Sequence, residues 1–183
     1  MEKKKFFTLK NVVYLFATVF YIAIAVWAFT ISADDFSNKR MLLAFLIILS
    51  SVPHILIFVV NRKKISYLVI GLVGTALGIV FLATGDLFSA DQICMIWGCL
   101  DICRGTTEII NRVPEVKHYK GELLEIAIST GDIIIGVLLC VHMAHGLQLH
   151  LIYLGIAFVL SALKNINDLI LERIENAKST NSN

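Results

Sequence analysis

Six apolar runs of about 20 residues, separated by short polar connectors, set the narrowest limits on what this chain can become. They occupy residues 12–31, 41–60, 65–83, 92–111, 123–144 and 149–171. Each is long enough to cross the roughly 30 Å hydrocarbon layer of a bilayer as a helix. The expected fold is therefore all-α: a polytopic membrane protein with six transmembrane helices arranged as repeated hairpins. Residues 1–11 form a basic segment before the first run, and the polar tail 172–183 is expected to fray. Hydrophobic residues make up 57% of the 183-residue chain, above the roughly 45–50% of soluble domains, so no length remains for a soluble domain of ordinary size.

The first run follows Lys3, Lys4, Lys5 and Lys10, as a secretory signal would. A signal's apolar region is shorter, about 7–15 residues, and the sequence Ile31-Ser32-Ala33 lacks the small first member of a cleavage site. The first run is thus read as a retained span. Twelve Lys and Arg then lie on one side (Lys3, Lys4, Lys5, Lys10, Arg62, Lys63, Lys64, Arg112, Lys117, Lys120, Arg173 and Lys178), with only Lys39 and Arg40 on the other. By the positive-inside rule both termini are cytoplasmic. The same distribution is not a nucleic-acid footprint.

Two runs carry helix-modifying residues. Pro53 removes a backbone donor from the second run, so a kink is expected there, with Ser50 and Ser51 able to bond freed carbonyls. His54 beside it reads as a hydrogen-bonded packing residue. Gly71, Gly74 and Gly78 in the third run would weaken a soluble helix, but in lipid they let backbones approach and read as tight helix packing. Cys94, Cys99, Cys103 and Cys140 all fall in or at the ends of apolar runs and read as small buried apolar side chains, not as a disulfide framework. The i,i+4 pair Cys99 and Cys103 reads the same way rather than as a metal or redox site.

The charges inside the last three runs are the candidate functional residues. Asp101, Arg104 and Glu108 lie on one face of the fourth run, Glu125 and Asp132 in the fifth, and Lys164 and Asp168 in the sixth. Charge at membrane depth is costly, so this face should turn toward protein or a wet cavity. Five acids against two bases cannot pair one to one. The expectation is that Arg104 and Lys164 bridge the fourth, fifth and sixth helices through Asp101 and Asp132, with at least one carboxyl protonated near neutral pH. His142, His145 and His150 flank the connector between the fifth and sixth runs. They are candidate pH sensors that otherwise sit in solvent or among lipid headgroups.

Shifting the chain by sixty residues lays Arg104 on Lys164, Glu108 on Asp168, Gly71 on Gly131, and Ile96, Leu100 and Ile110 on Ile156, Leu160 and Ile170. Each repeat thus contains a base and an acid four residues later, a spacing that can form an intrahelical ion pair. The shift spans two helices, so the repeats are parallel, unlike the inverted repeats of many transporters.

With its length, its six spans, the segment Gly131-Asp132-Ile133-Ile134-Ile135-Gly136-Val137-Leu138-Leu139 and a Gly-containing span ending in a basic loop over residues 96–121, the chain resembles the HdeD family of bacterial acid-resistance membrane proteins. The last two hairpins carry the resemblance. It implies a bacterial plasma-membrane protein connected with survival in acid or envelope stress, and it carries over no catalytic residues. No nucleotide-binding loop, zinc-protease helix or nucleophile elbow occurs. The expectation is a non-catalytic protein without cofactor or metal, whose partners are the bilayer and, as a candidate homo-oligomer, further copies of itself. The alternative is a small proton-coupled transporter or channel using Asp101 and Asp132. A transporter needs a polar cavity reaching those two residues, whereas a structural protein needs them sealed in ion pairs.

Overall fold

The computed structural model describes residues 8–32, 39–62, 65–84, 87–113, 120–141 and 147–181. They form six helices: α1 (Leu9–Thr30), α2 (Lys39–Val60), α3 (Ile65–Ala83), α4 (Ala90–Arg112), α5 (Lys120–Val141) and α6 (Leu147–Asn181). The protein is all-helical and multi-pass. Five helices are long and apolar enough to cross a membrane; α4 is as long but too charged by composition alone.

Local chemistry sets several of the ends. The Thr8 hydroxyl accepts from the Asn11 amide at 3.3 Å to start α1. At α4, Ser89 and Gln92 form a reciprocal capping box, with Ser89 N donating to Gln92 Oε1 at 2.8 Å and Gln92 N donating to Ser89 Oγ at 3.2 Å. Asp91 in the first turn and Arg112 in the last complement the helix dipole.

The tail departs from the sequence expectation. Residues 172–181 do not fray but continue α6, which runs for 35 residues. No Gly or Pro follows Gly155, and adding residues to an existing helix is far easier than nucleating one. At about 1.5 Å per residue α6 is roughly 50 Å long, well beyond a bilayer core.

We call proximal the end of the bundle holding the start of α1, the turn between α2 and α3, and the meeting of α4 with α5. The tightest packing is between α4 and α5, then α2 and α3, then α1 and α6. These pairs are offset by one helix from the hairpins that the sixty-residue shift suggested. Glycine is the reason. Gly71, Gly74 and Gly78 all face α2, as expected, and a Cβ on Gly78 would come within 3.0 Å of the Ala44 carbonyl. Gly98 and Gly136 do the same for α4 and α5: a Cβ on the first would meet the carbonyl of the second at 2.5 Å, and the reverse contact would be 2.6 Å. Gly105 would meet the Ser129 carbonyl at 2.6 Å.

The interior is divided by depth. In the distal half, Leu43, Leu46 and Ile47 of α2, Ile93 and Trp97 of α4, Leu139 of α5, and Leu151, Leu154 and Phe158 of α6 form one apolar core. A smaller apolar cluster of Tyr14, Ala17, Ile57 and Tyr67 joins α1, α2 and α3 proximally. The remaining proximal interior is polar. Outward faces of α1, α2, α3, α5 and α6 carry large apolar side chains such as Phe16, Phe45, Leu72, Ile134 and Ile156, as lipid contact requires.

Candidate functional site

The charges are arranged in three tiers stepping down α4. At mid-depth, Arg104 Nη2 lies 2.9 Å from Asp132 Oδ2 on α5 and 3.6 Å from Asp101 Oδ1 on its own helix. One helical turn closer to the proximal end, Lys164 Nζ on α6 lies 2.9 Å from Glu108 Oε1 and 5.8 Å from the centre of the Tyr67 ring on α3. At the proximal end, Arg112 pairs with Glu122 at 3.1 Å, with Asp168 at 3.3 Å, and through Nε with Glu125. Asp132 is 0% exposed, Glu125 1% and Lys164 5%.

The charged face of α4 is therefore turned inward, as the cost of charge in lipid demands. The partners differ in detail from those expected. Lys164 reaches Glu108, not Asp101 or Asp132. Neither base uses the acid four residues along its own helix: Arg104 turns to Asp132 and Lys164 crosses to α4. A charge between two helices neutralises both faces at once, which an intrahelical pair does not. Residues matched by the sixty-residue shift thus have unlike partners. Gly71 abuts Ile55 of α2, whereas Gly131 abuts Leu160 of α6.

Sequence reasoning misses Arg112 and Glu122 as site residues because each lies one position outside its apolar run. The spacing held the signal: 101, 104, 108 and 112 differ by three or four and share one helical face.

Next to the middle tier lies a second polar group. Tyr21 Oη on α1 donates to the Ser50 carbonyl at 3.2 Å and lies 2.8 Å from His54 Nδ1, which is itself 2.9 Å from that carbonyl. His54 is the hydrogen-bonded packing residue expected. The carbonyl that Pro53 leaves without its helical donor is that of Leu49, four residues before it, and not this one. The hydroxyls of Ser50 and Ser51 instead both donate to the Ile47 carbonyl, at 2.9 and 2.8 Å.

Two further expectations are corrected. His150 is fully buried on α6, not in solvent or among headgroups; His142 and His145 lie outside the described residues. Among the cysteines only Cys94 is buried, while Cys99 and Cys103 are exposed on the outward face of α4. Their helix turns its charges inward, which leaves these small side chains outside. Cys99 Sγ lies 3.9 Å from Cys140 Sγ on α5.

A cavity of about 40 Å³ lies between α1, α2, α3, α4 and α6, with Tyr21, His54, Asp101, Arg104 and Ser161 on its wall. A smaller one of about 10 Å³ adjoins it and shares Tyr21, His54, Arg104 and Ser161, adding Tyr67, Glu108, Lys164 and Asn165. Asp132 is on neither wall. Of the two residues that discriminate a transporter from a structural protein, one is sealed and one lines a small cavity whose wall mixes polar groups with apolar ones such as Ile47, Trp97 and Phe158. No family model, characterised protein or solved structure matches this chain.

Proposed function

We propose that this is a non-catalytic membrane protein of the bacterial plasma membrane that serves survival under acid or envelope stress, with its buried charge network as the acid-responsive part. In this reading the proximal end and both termini face the cytoplasm, in keeping with the distribution of Lys and Arg. The observation that carries it is the division of the interior by depth. Buried charge runs from the proximal end to Asp132, Arg104 and Asp101, then stops against the apolar core of Leu46, Ile47, Trp97, Leu154 and Phe158. Such an interior favours a group that takes up protons from one side over a conduit open to both. Protonating a carboxylate changes the charge around Arg104, Lys164 and Arg112, the cations that hold α4 to α5 and α6, so acid acts directly on helix packing.

The test is Asp132→Asn. The variant should retain a helical, monodisperse fold in micelles and fail to support survival of an acid-challenged bacterial host. Unchanged folding together with unchanged survival contradicts the reading.

The second reading, a small proton-coupled transporter or channel, draws its support from the cavity on which Asp101 opens. Purified protein in vesicles separates the two. A proton leak abolished by replacing Asp101 or Asp132 favours transport, and tight vesicles favour the non-conducting protein.

A further inference from the structure

The residues lining the two adjoining cavities include three with a polar atom that the fold leaves without a hydrogen-bond partner. Asp101 Oδ2, Arg104 Nε and Asn165 Nδ2 are buried and make no hydrogen bond among the described residues. Asp101 and Asn165 are 4% and 2% exposed. An unmet buried polar group costs about 1–3 kcal/mol, so three around one space point to a ligand.

The chemistry of the wall selects that ligand. Arg104 Nε and the Asn165 amide donate, while Asp101 Oδ2 accepts. An anion would satisfy the donors and be repelled by the carboxylate; a metal cation would meet the carboxylate and be repelled by Arg104 and Lys164. Water both donates and accepts. The volumes admit roughly three water molecules in the larger cavity and one in the smaller.

Charge then adds a proton. Around this space stand three carboxylates, Asp101, Glu108 and Asp132, against two cations, Arg104 and Lys164. With all five ionised, one negative charge remains uncompensated in a buried setting, and a single proton removes it. Asp132 and Glu108 each hold a cation at 2.9 Å. Asp101 has the longer contact, 3.6 Å, and, unlike Asp132, whose Oδ1 also makes no hydrogen bond, it stands on the cavity wall. The other titratable groups facing this space are Tyr21 of α1, His54 of α2, Tyr67 of α3 and Lys164 of α6, with Asp132 behind Arg104 on α5.

We propose that the paired cavities form one hydrated compartment in which Asp101 binds a proton at Oδ2, delivered through water from the Glu108–Lys164 side. A hydronium ion gives its proton to Oδ2, an O–H bond forms, and a neutral water remains. This inference names the proton-binding group of the acid-responsive network and so rests on the function proposed above.

Infrared difference spectroscopy of the full-length protein in lipid vesicles, recorded between neutral and acidic pH, tests it. The wild type should show a protonated-carboxyl C=O band that Asp101→Asn loses, that Asp101→Glu moves in frequency, and that Asp91→Asn, at the opposite end of α4, retains. In heavy water the band should shift, because solvent reaches the group. A band that persists unchanged in both Asp101 variants, or one indifferent to heavy water, overturns the proposal. Should Asp101→Asn fail to fold, the Asp101→Glu shift decides. If the band behaves as expected while Asp101→Asn cells survive acid normally, the proton site stands and the stress function falls.

Discussion

Arg104 and Asp132 meet at 2.9 Å between α4 and α5, at the depth where the polar half of the bundle gives way to the apolar half. Arg104→Met leaves Asp132 a charge without a counter-ion at 0% exposure. Removing one partner of a buried pair costs about 3–5 kcal/mol, while replacing both with apolar residues is often neutral or stabilising. Arg104→Met should therefore lower stability by about that much, and Arg104→Met with Asp132→Leu should recover part of it, Asp101 losing its cation in both. Denaturant titration in mixed micelles reads the difference.

The glycines separate packing from propensity. A Cβ at Gly98 meets the Gly136 carbonyl, a backbone atom that cannot yield. A Cβ at Gly131 meets only the end of Leu160, at 3.1 Å. Alanine stabilises an unhindered helix position by about 1 kcal/mol over glycine, and overpacking a tight contact costs about 1–3 kcal/mol. Gly131→Ala is expected to be neutral or stabilising and Gly98→Ala destabilising. The same micelle titration checks the order of the two.

Oxidation offers a test of the α4–α5 register. Cys99 and Cys140 have their sulfurs 3.9 Å apart. A membrane-permeant thiol oxidant should form a Cys99–Cys140 cross-link within one chain, detected by peptide mass. Replacing either cysteine by serine should abolish it. Cross-linking of Cys99 to Cys103 instead would contradict the register.

The sequence made the helices legible because each needs a long apolar run, and runs of that length have few other uses. It also made the inward turn of Asp101, Arg104 and Glu108 legible, since periodicity and the cost of charge in lipid both point there. Partner choice was not legible. Lys164 lies one helical turn from Asp168 in sequence, yet it reaches Glu108, and only the relative placement of α4 and α6 decides that. The hairpin frame was hidden for a similar reason: Gly98, Gly105 and Gly136 do not form a GxxxG pair within one helix, so the closest interface became visible only when two helices were seen together. Ser161 and Asn165 carried no charge to mark them, although they share a helical face with Asp168.

The most direct measurement of whether the buried ions face one another is a charge exchange between Lys164 and Glu108. Lys164→Glu alone places two carboxylates together, and Glu108→Lys alone places two ammonium groups together; each should unfold or aggregate the protein in micelles. The double exchange restores opposite charges across the same 2.9 Å gap and should recover a folded, monodisperse protein. Single variants as stable as the wild type, or a double variant no better than either single one, would contradict the inward-facing network.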